Sequence, residues 1–131
     1  MSFNESDFQS LFTKYVKHSL PITMLYELKV TKTKRLPFSR LEDHQETALL
    51  KAKHGCIHHK ISDQSQNTKP SDGFQICNSN AFVGVMFYEP RKQKIAYLID
   101  IDAWIKQRET SKMRSITEDE AVALSQITIN L

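Results

Sequence analysis

Ten consecutive residues, Ile22 to Thr31, alternate in character, and no other stretch restricts the fold as strongly. Ile22, Met24, Tyr26, Leu28 and Val30 share one face, while Thr23, Leu25, Glu27, Lys29 and Thr31 share the other. Side chains that alternate with period two specify a β-strand. Pro21 separates this strand from a helical pattern before it. Phe8, Leu11, Phe12 and Tyr15 recur at helical spacing, so Phe3 to about Lys17 is expected to be an amphipathic helix. Ser2 and Glu5 have the spacing of a capping box at its start.

Further elements follow the same two periods. Thr31 to Pro37 is expected to be a basic loop. Ser39-Arg40-Leu41-Glu42 then opens a helix, with Leu41, Gln45, Ala48, Leu49 and Ala52 on one stripe and Gly55 at its end. Cys56 to Ile61 is a short strand, and Ser62 to Ser71, polar throughout, is a surface loop. Phe74–Cys77 and Ala81–Tyr88 are expected to pair around an Asn78-Ser79-Asn80 turn. Ile95 to Ile99 is a further strand, and Asp100 or Asp102 caps a helix through Trp104 and Ile105. Thr117 and Glu120 form another capping box, before Ala121, Val122 and Leu124.

With 131 residues the chain is expected to form one domain, residues 1–131, able to build a core without a metal or disulfide staple. No apolar run approaches the roughly 20 residues needed to span a bilayer, and no secretory pattern opens the chain. Two cysteines, Cys56 and Cys77, are too few for a disulfide framework. They are expected to be reduced thiols of an intracellular, cytoplasmic protein. No glycine-rich phosphate loop occurs, so a nucleotide cofactor is not expected. His44, His54, His58, His59 and Cys56 lack the paired spacing of a structural zinc site. Charge is concentrated: eight basic residues and three acidic ones lie between Lys29 and Lys60, leaving the rest of the chain slightly acidic. Such a basic centre suits a polyanion, although a solvated lysine-rich face has the same composition.

Glu27 and Lys29 place a carboxylate and an ammonium on one strand face, about 7 Å apart along the strand. Metal-assisted phosphodiester cleavage uses this combination: a carboxylate to hold the cation, a lysine to neutralise charge developing on the phosphate. An alternating Glu and Lys on a wetted strand is the plain alternative. A second carboxylate, Asp72, stands at the mouth of the Phe74 strand between Pro70 and Gly73, where a simple Asp-Gly turn would also place it.

The stretch Tyr26-Glu27-Leu28-Lys29-Val30-Thr31-Lys32, then Leu36-Pro37-Phe38-Ser39, then Glu42-Asp43-His44-Gln45 and Leu49, resembles the PD-(D/E)XK nuclease superfamily. It is most similar to the RecU-type and phage Holliday-junction resolvases within it. Pro70-Ser71-Asp72 resembles that group's Pro-x-Asp element, here placed after the Glu-x-Lys strand rather than before it. The resemblance implies an α/β fold, a restriction-endonuclease-like mixed central sheet flanked by helices. It also implies a Mg²⁺-dependent endonuclease (Mn²⁺ as substitute) acting on DNA, at branched junctions, as a homodimer. Glu27 and Asp72 would hold the metal with the Leu28 backbone carbonyl as third ligand, and Asp63 would be a further or second-metal ligand. Lys29 would be the catalytic lysine, and Gln45 would position water or phosphate. Glu5 matches the acid carried on the first helix, if it does not serve as a cap. Lys32, Lys34, Arg35, Arg40 and Lys60 would contact DNA. The rival expectation is a non-catalytic nucleic-acid-binding module of the same fold, in which Glu27 and Lys29 merely pair.

Overall fold

The computed structural model describes residues 3–62 and 70–131. The alternating segment forms β1 (Met24–Thr31), the edge strand of a four-stranded mixed sheet. Its neighbour in that sheet is β5 (Asn80–Phe87), which runs parallel to it with Glu27 opposite Val83 and Lys29 opposite Val85. β5 pairs antiparallel with β6 (Ile95–Asp100), and β6 with β8 (Ile127–Asn130). The strand order is therefore β1-β5-β6-β8. Gly84 of β5 leaves room for two leucines: a Cβ there would stand 2.6 Å from Leu28 Cδ2 and 3.1 Å from Leu98 Cδ2.

Each face of the sheet is covered. α1 (Glu5–Ser19) lays Phe8 and Phe12 on Leu28, Val30, Phe82, Met86, Leu98 and Ile129. On the opposite face α2 (Asp43–His54), α3 (Ile101–Thr110) and α4 (Glu118–Leu124) enclose Val83, Val85, Ile99 and Trp104. α2 is the crossover between the parallel strands β1 and β5, the connection such strands require. The chain is thus a mixed α/β fold with its sheet between helices.

Several boundaries differ from the sequence expectations for local reasons. α1 begins at Glu5, capped by a reciprocal Asn4–Asp7 box (3.0 and 2.9 Å), whereas Ser2 lies outside the described residues. The expected Ser39–Glu42 box is displaced by three residues. Phe38–Arg40 forms a single 3₁₀ turn, buried Leu41 is extended, and Glu42 with Gln45 makes the box that opens α2. Within the basic loop, β2 (Arg35–Pro37) pairs with β7 (Ser115–Thr117). Asp100, not Asp102, caps α3, accepting from the Asp102 N–H at 3.0 Å. The Thr117–Glu120 box is present as expected.

The largest correction concerns β3 (Cys56–Lys60) and β4 (Gly73–Cys77). They pair with each other as a separate hairpin, and β4 does not pair with β5. β5 is buried along nearly its whole length and so takes an interior place, while β4 is largely exposed. The turn between them is tied to α2: Asn78, at φ 46°, donates to the Gly55 carbonyl and Ser79 to that of Ala52. Cys56 and Cys77 face each other in this hairpin and are joined by a disulfide, correcting the expectation of two reduced thiols. No described helix is long and apolar enough to cross a membrane.

Candidate functional site at the free edge of β1

β1 turns Glu27 and Lys29 toward the α2 face of the sheet, beside the edge that no described strand covers. Lys29 is only 6% exposed, so its ammonium needs nearby negative charge to be tolerable. Two carboxylates provide it: Glu27 Oε1 at 3.5 Å and Glu5 Oε1 at 3.7 Å. Glu5 arrives from the first turn of α1 and takes no part in the Asn4–Asp7 capping box. Its other oxygen accepts from Arg40 Nη2 at 2.9 Å. The same Arg40 nitrogen donates to the Val30 carbonyl at 3.1 Å. Glu5, Glu27, Lys29 and Arg40 therefore form one charge-balanced cluster, assembled from a helix, a strand and a 3₁₀ turn.

Gln45 completes it. Its Oε1 accepts the Glu42 N–H at 3.0 Å as part of the α2 cap, and its Nε2 donates to Glu27 Oε1 at 2.9 Å. The amide is held at both ends and fixes the orientation of the Glu27 carboxylate. The carbonyls of β1 alternate in direction. Thr31 O accepts from Tyr88 N on the β5 side (2.8 Å), while Val30 O accepts from Arg40 on the free side. By that alternation the Leu28 carbonyl shares the outward direction of Val30, next to Glu27.

The remaining expected residues lie elsewhere. Asp72 stands at the start of β4, in the hairpin, where its carbonyl accepts the Ile61 N–H at 2.8 Å. Because β4 pairs with β3, Asp72 does not meet Glu27 from an adjacent strand, and the expected strand arrangement for a Glu27–Asp72 metal pair is corrected. Asp63 lies outside the described residues. Among the described residues no group of three or more His, Cys, Asp or Glu side chains converges as a cation site. Arg35 is used within the protein: Nε donates to Ser115 Oγ at 2.7 Å and Nη2 to the Ser115 carbonyl at 3.2 Å. Among the described residues, Lys32, Lys34 and Lys60 are not held in this way.

A second polar cluster has no counterpart in the sequence expectations. Lys53 Nζ lies 2.7 Å from Asp100 Oδ2 and 2.6 Å from Asp102 Oδ2, and His54 Nε2 lies 2.7 Å from the same Asp102 oxygen. Burial opposes the charge on Lys53, but the hydrogen bonds it donates to the two carboxylates, with their negative charge, outweigh it and hold the ammonium above its ordinary pKa. The Lys53 hydrogen bond chiefly, and His54 after it, keep the Asp102 carboxyl below its ordinary value against a smaller effect of burial. This cluster fastens the end of α2 to the start of α3. Basic residues ending one helix and acids opening another are a signal visible in sequence, but their meeting depends on the crossover.

No family model, curated protein or solved structure matches the chain.

Proposed function

We propose that the chain is a metal-dependent DNA endonuclease of restriction-endonuclease-like, PD-(D/E)XK type, hydrolysing phosphodiester bonds at branched junctions. One observation carries the reading: Glu27 and the buried Lys29 stand together on a strand edge that no described strand pairs with, and Glu5 converges on the same ammonium. In this reading Glu5, not Asp72, is the second carboxylate. Mg²⁺ commonly takes one or two carboxylates and completes its shell with water and substrate phosphate, which suits Glu27, Glu5 and the outward Leu28 carbonyl. The cation, with Mn²⁺ as substitute, would neutralise phosphate charge and acidify a water. Lys29 supplies a fixed positive charge to the phosphoryl oxygens, positioned before substrate arrives. Gln45 keeps Glu27 from rotating away. Because two strands of a junction must be cut, the reading includes a two-fold homodimer.

Purified protein with Mg²⁺ or Mn²⁺ is expected to nick a four-way junction, and Lys29→Ala to lose at least a hundredfold in rate while retaining DNA binding. Undiminished cleavage by a Glu27→Ala, Lys29→Ala double variant would refute the assignment. Light scattering is expected to find two copies per particle.

A non-catalytic nucleic-acid-binding module of the same fold is the second reading. It is favoured by Arg40, which already holds one oxygen of Glu5, and by the placement of Asp72 in the hairpin. Salt-sensitive binding with no cleavage under any divalent cation would select it.

A further inference from the structure

A groove between α2 and the β3–β4 hairpin is lined by Leu25 and His44, near neighbours in sequence of Glu27 and Gln45. We propose that it binds an unpaired nucleic-acid strand, with Phe74 and His59 as the platform on which a base stacks. The strand's destination rests on the nuclease reading; the binding itself does not.

The hairpin register puts His59 opposite Phe74 and Ile57 opposite Ile76, so these four side chains share one face. Ile57 is half-buried against the core and anchors that face. Farther along the same face the chain becomes exposed: Phe74 is 46% accessible, the aromatic member of the large exposed apolar residues described. Its ring lies 5.3 Å from that of His59, tilted by 33°. The pair stabilises the hairpin across its strands, and it leaves part of the Phe74 ring open to solvent.

The groove holds about 480 Å³. The α2 wall presents His44 and Lys51, the hairpin wall His59 and Phe74, and Leu25 closes the β1 end. Among the described residues no carboxylate lines it. His58 lines the groove too, and Phe74 also borders a second depression shared with His58, Lys60 and Asp72. His44 leans toward Glu42 outside the groove, at 3.4 Å, and Lys51 carries no ion pair among the described residues. Leu25 precedes Glu27 by two residues on the same strand face, and His44 precedes Gln45. A strand lying in the groove would therefore pass its phosphates toward the Glu27–Lys29 edge.

Basic side chains interleaved with an exposed aromatic ring match a nucleic-acid backbone and a base face, respectively. Stacking requires a base that is not already stacked in a duplex, which identifies the ligand as single-stranded or splayed nucleic acid rather than a paired helix. The junctions and flaps that a branch-specific nuclease meets contain such nucleotides.

The test measures binding with chelator present, so that hydrolysis plays no part. The probe is a fluorescent oligothymidylate of about 12 nucleotides, within the span of known single-strand sites. The wild-type protein is expected to bind it more tightly than a blunt duplex of equal length. Phe74→Ala should weaken that binding about tenfold or more, the loss expected for one stacked base. Phe74→Trp should restore affinity, and its added fluorescence should be quenched by the oligonucleotide. Equal affinity of wild type and Phe74→Ala, preference for the duplex, no binding at all, or an unquenched tryptophan would each overturn the proposal. Phe74-dependent binding by a protein that never cleaves DNA would leave it standing and remove the nuclease reading. Cleavage accompanied by Phe74-independent binding would do the reverse.

Discussion

A buried ammonium at Lys29 would destabilise the chain without Glu5 and Glu27, which come from different elements and meet only when α1 docks on β1. Tyr97 is another buried residue whose polar end depends on a distant partner, donating to Glu118 Oε2 at 2.8 Å. Burial first, and the Glu118 carboxylate second, push its phenol from 10.0 up to about 12. The folded state thus holds this proton more tightly than the unfolded chain does. Its contribution is complete below pH 10, declines between pH 10 and about 12, and is gone above that. Tyr97→Phe is expected to cost about 1 kcal/mol at neutral pH and to flatten the alkaline loss of stability in that window. Denaturant midpoints measured across the alkaline range check both. Glu27 and Lys29 were legible in sequence because period-two geometry puts them on one face. Arg40 was legible only as a positive charge, since its partners are a helix start and an outward strand carbonyl.

Elements with a long, clear period were foreseeable: α1, β1 and α2 lie where their apolar spacing put them, within a few residues. Strand pairing was not. β4 and β5 adjoin in sequence through a tight turn and resemble a hairpin, yet β5 belongs to the buried sheet and β4 does not. That choice is made by which strand can be withdrawn entirely from water. β2 and β7, three residues each, are too short to show any period. The β3–β4 hairpin buries little apolar surface, so its disulfide, with a sequence separation of 21, should matter to it more than packing does. Replacing both cysteines by serine is expected to cost roughly 3 kcal/mol, the entropy of closing such a loop. Proteolysis within the hairpin should rise before the central sheet unfolds. Equal protease resistance of the two proteins would show that α2 alone positions the hairpin.

Across the described molecule, half of the basic centre seen in sequence is consumed by folding. Lys29 and Arg40 join the cluster, Arg35 binds Ser115, and Lys53 holds two aspartates. Lys32, Lys34, Lys51 and Lys60 carry no ion pair among the described residues, which leaves them for a polyanion. Lys32→Ala with Lys34→Ala is therefore expected to make the dependence of DNA affinity on salt shallower, by about 0.9 for each phosphate no longer neutralised. An unchanged slope from titrations at several salt concentrations would locate DNA away from this loop. Arg35→Ala should behave differently, loosening β2 from β7. The guanidinium of Arg40 has a consequence at this scale too. An edge strand invites intermolecular ladder growth, and β1, eight residues long and paired on one side only among the described residues, would be a generous template. Arg40 plugs one of its outward acceptors and, clasped by Glu5, stands where an incoming chain would have to lie. Arg40→Ala, which removes that plug, is expected to raise fibril-like aggregation, followed by thioflavin fluorescence.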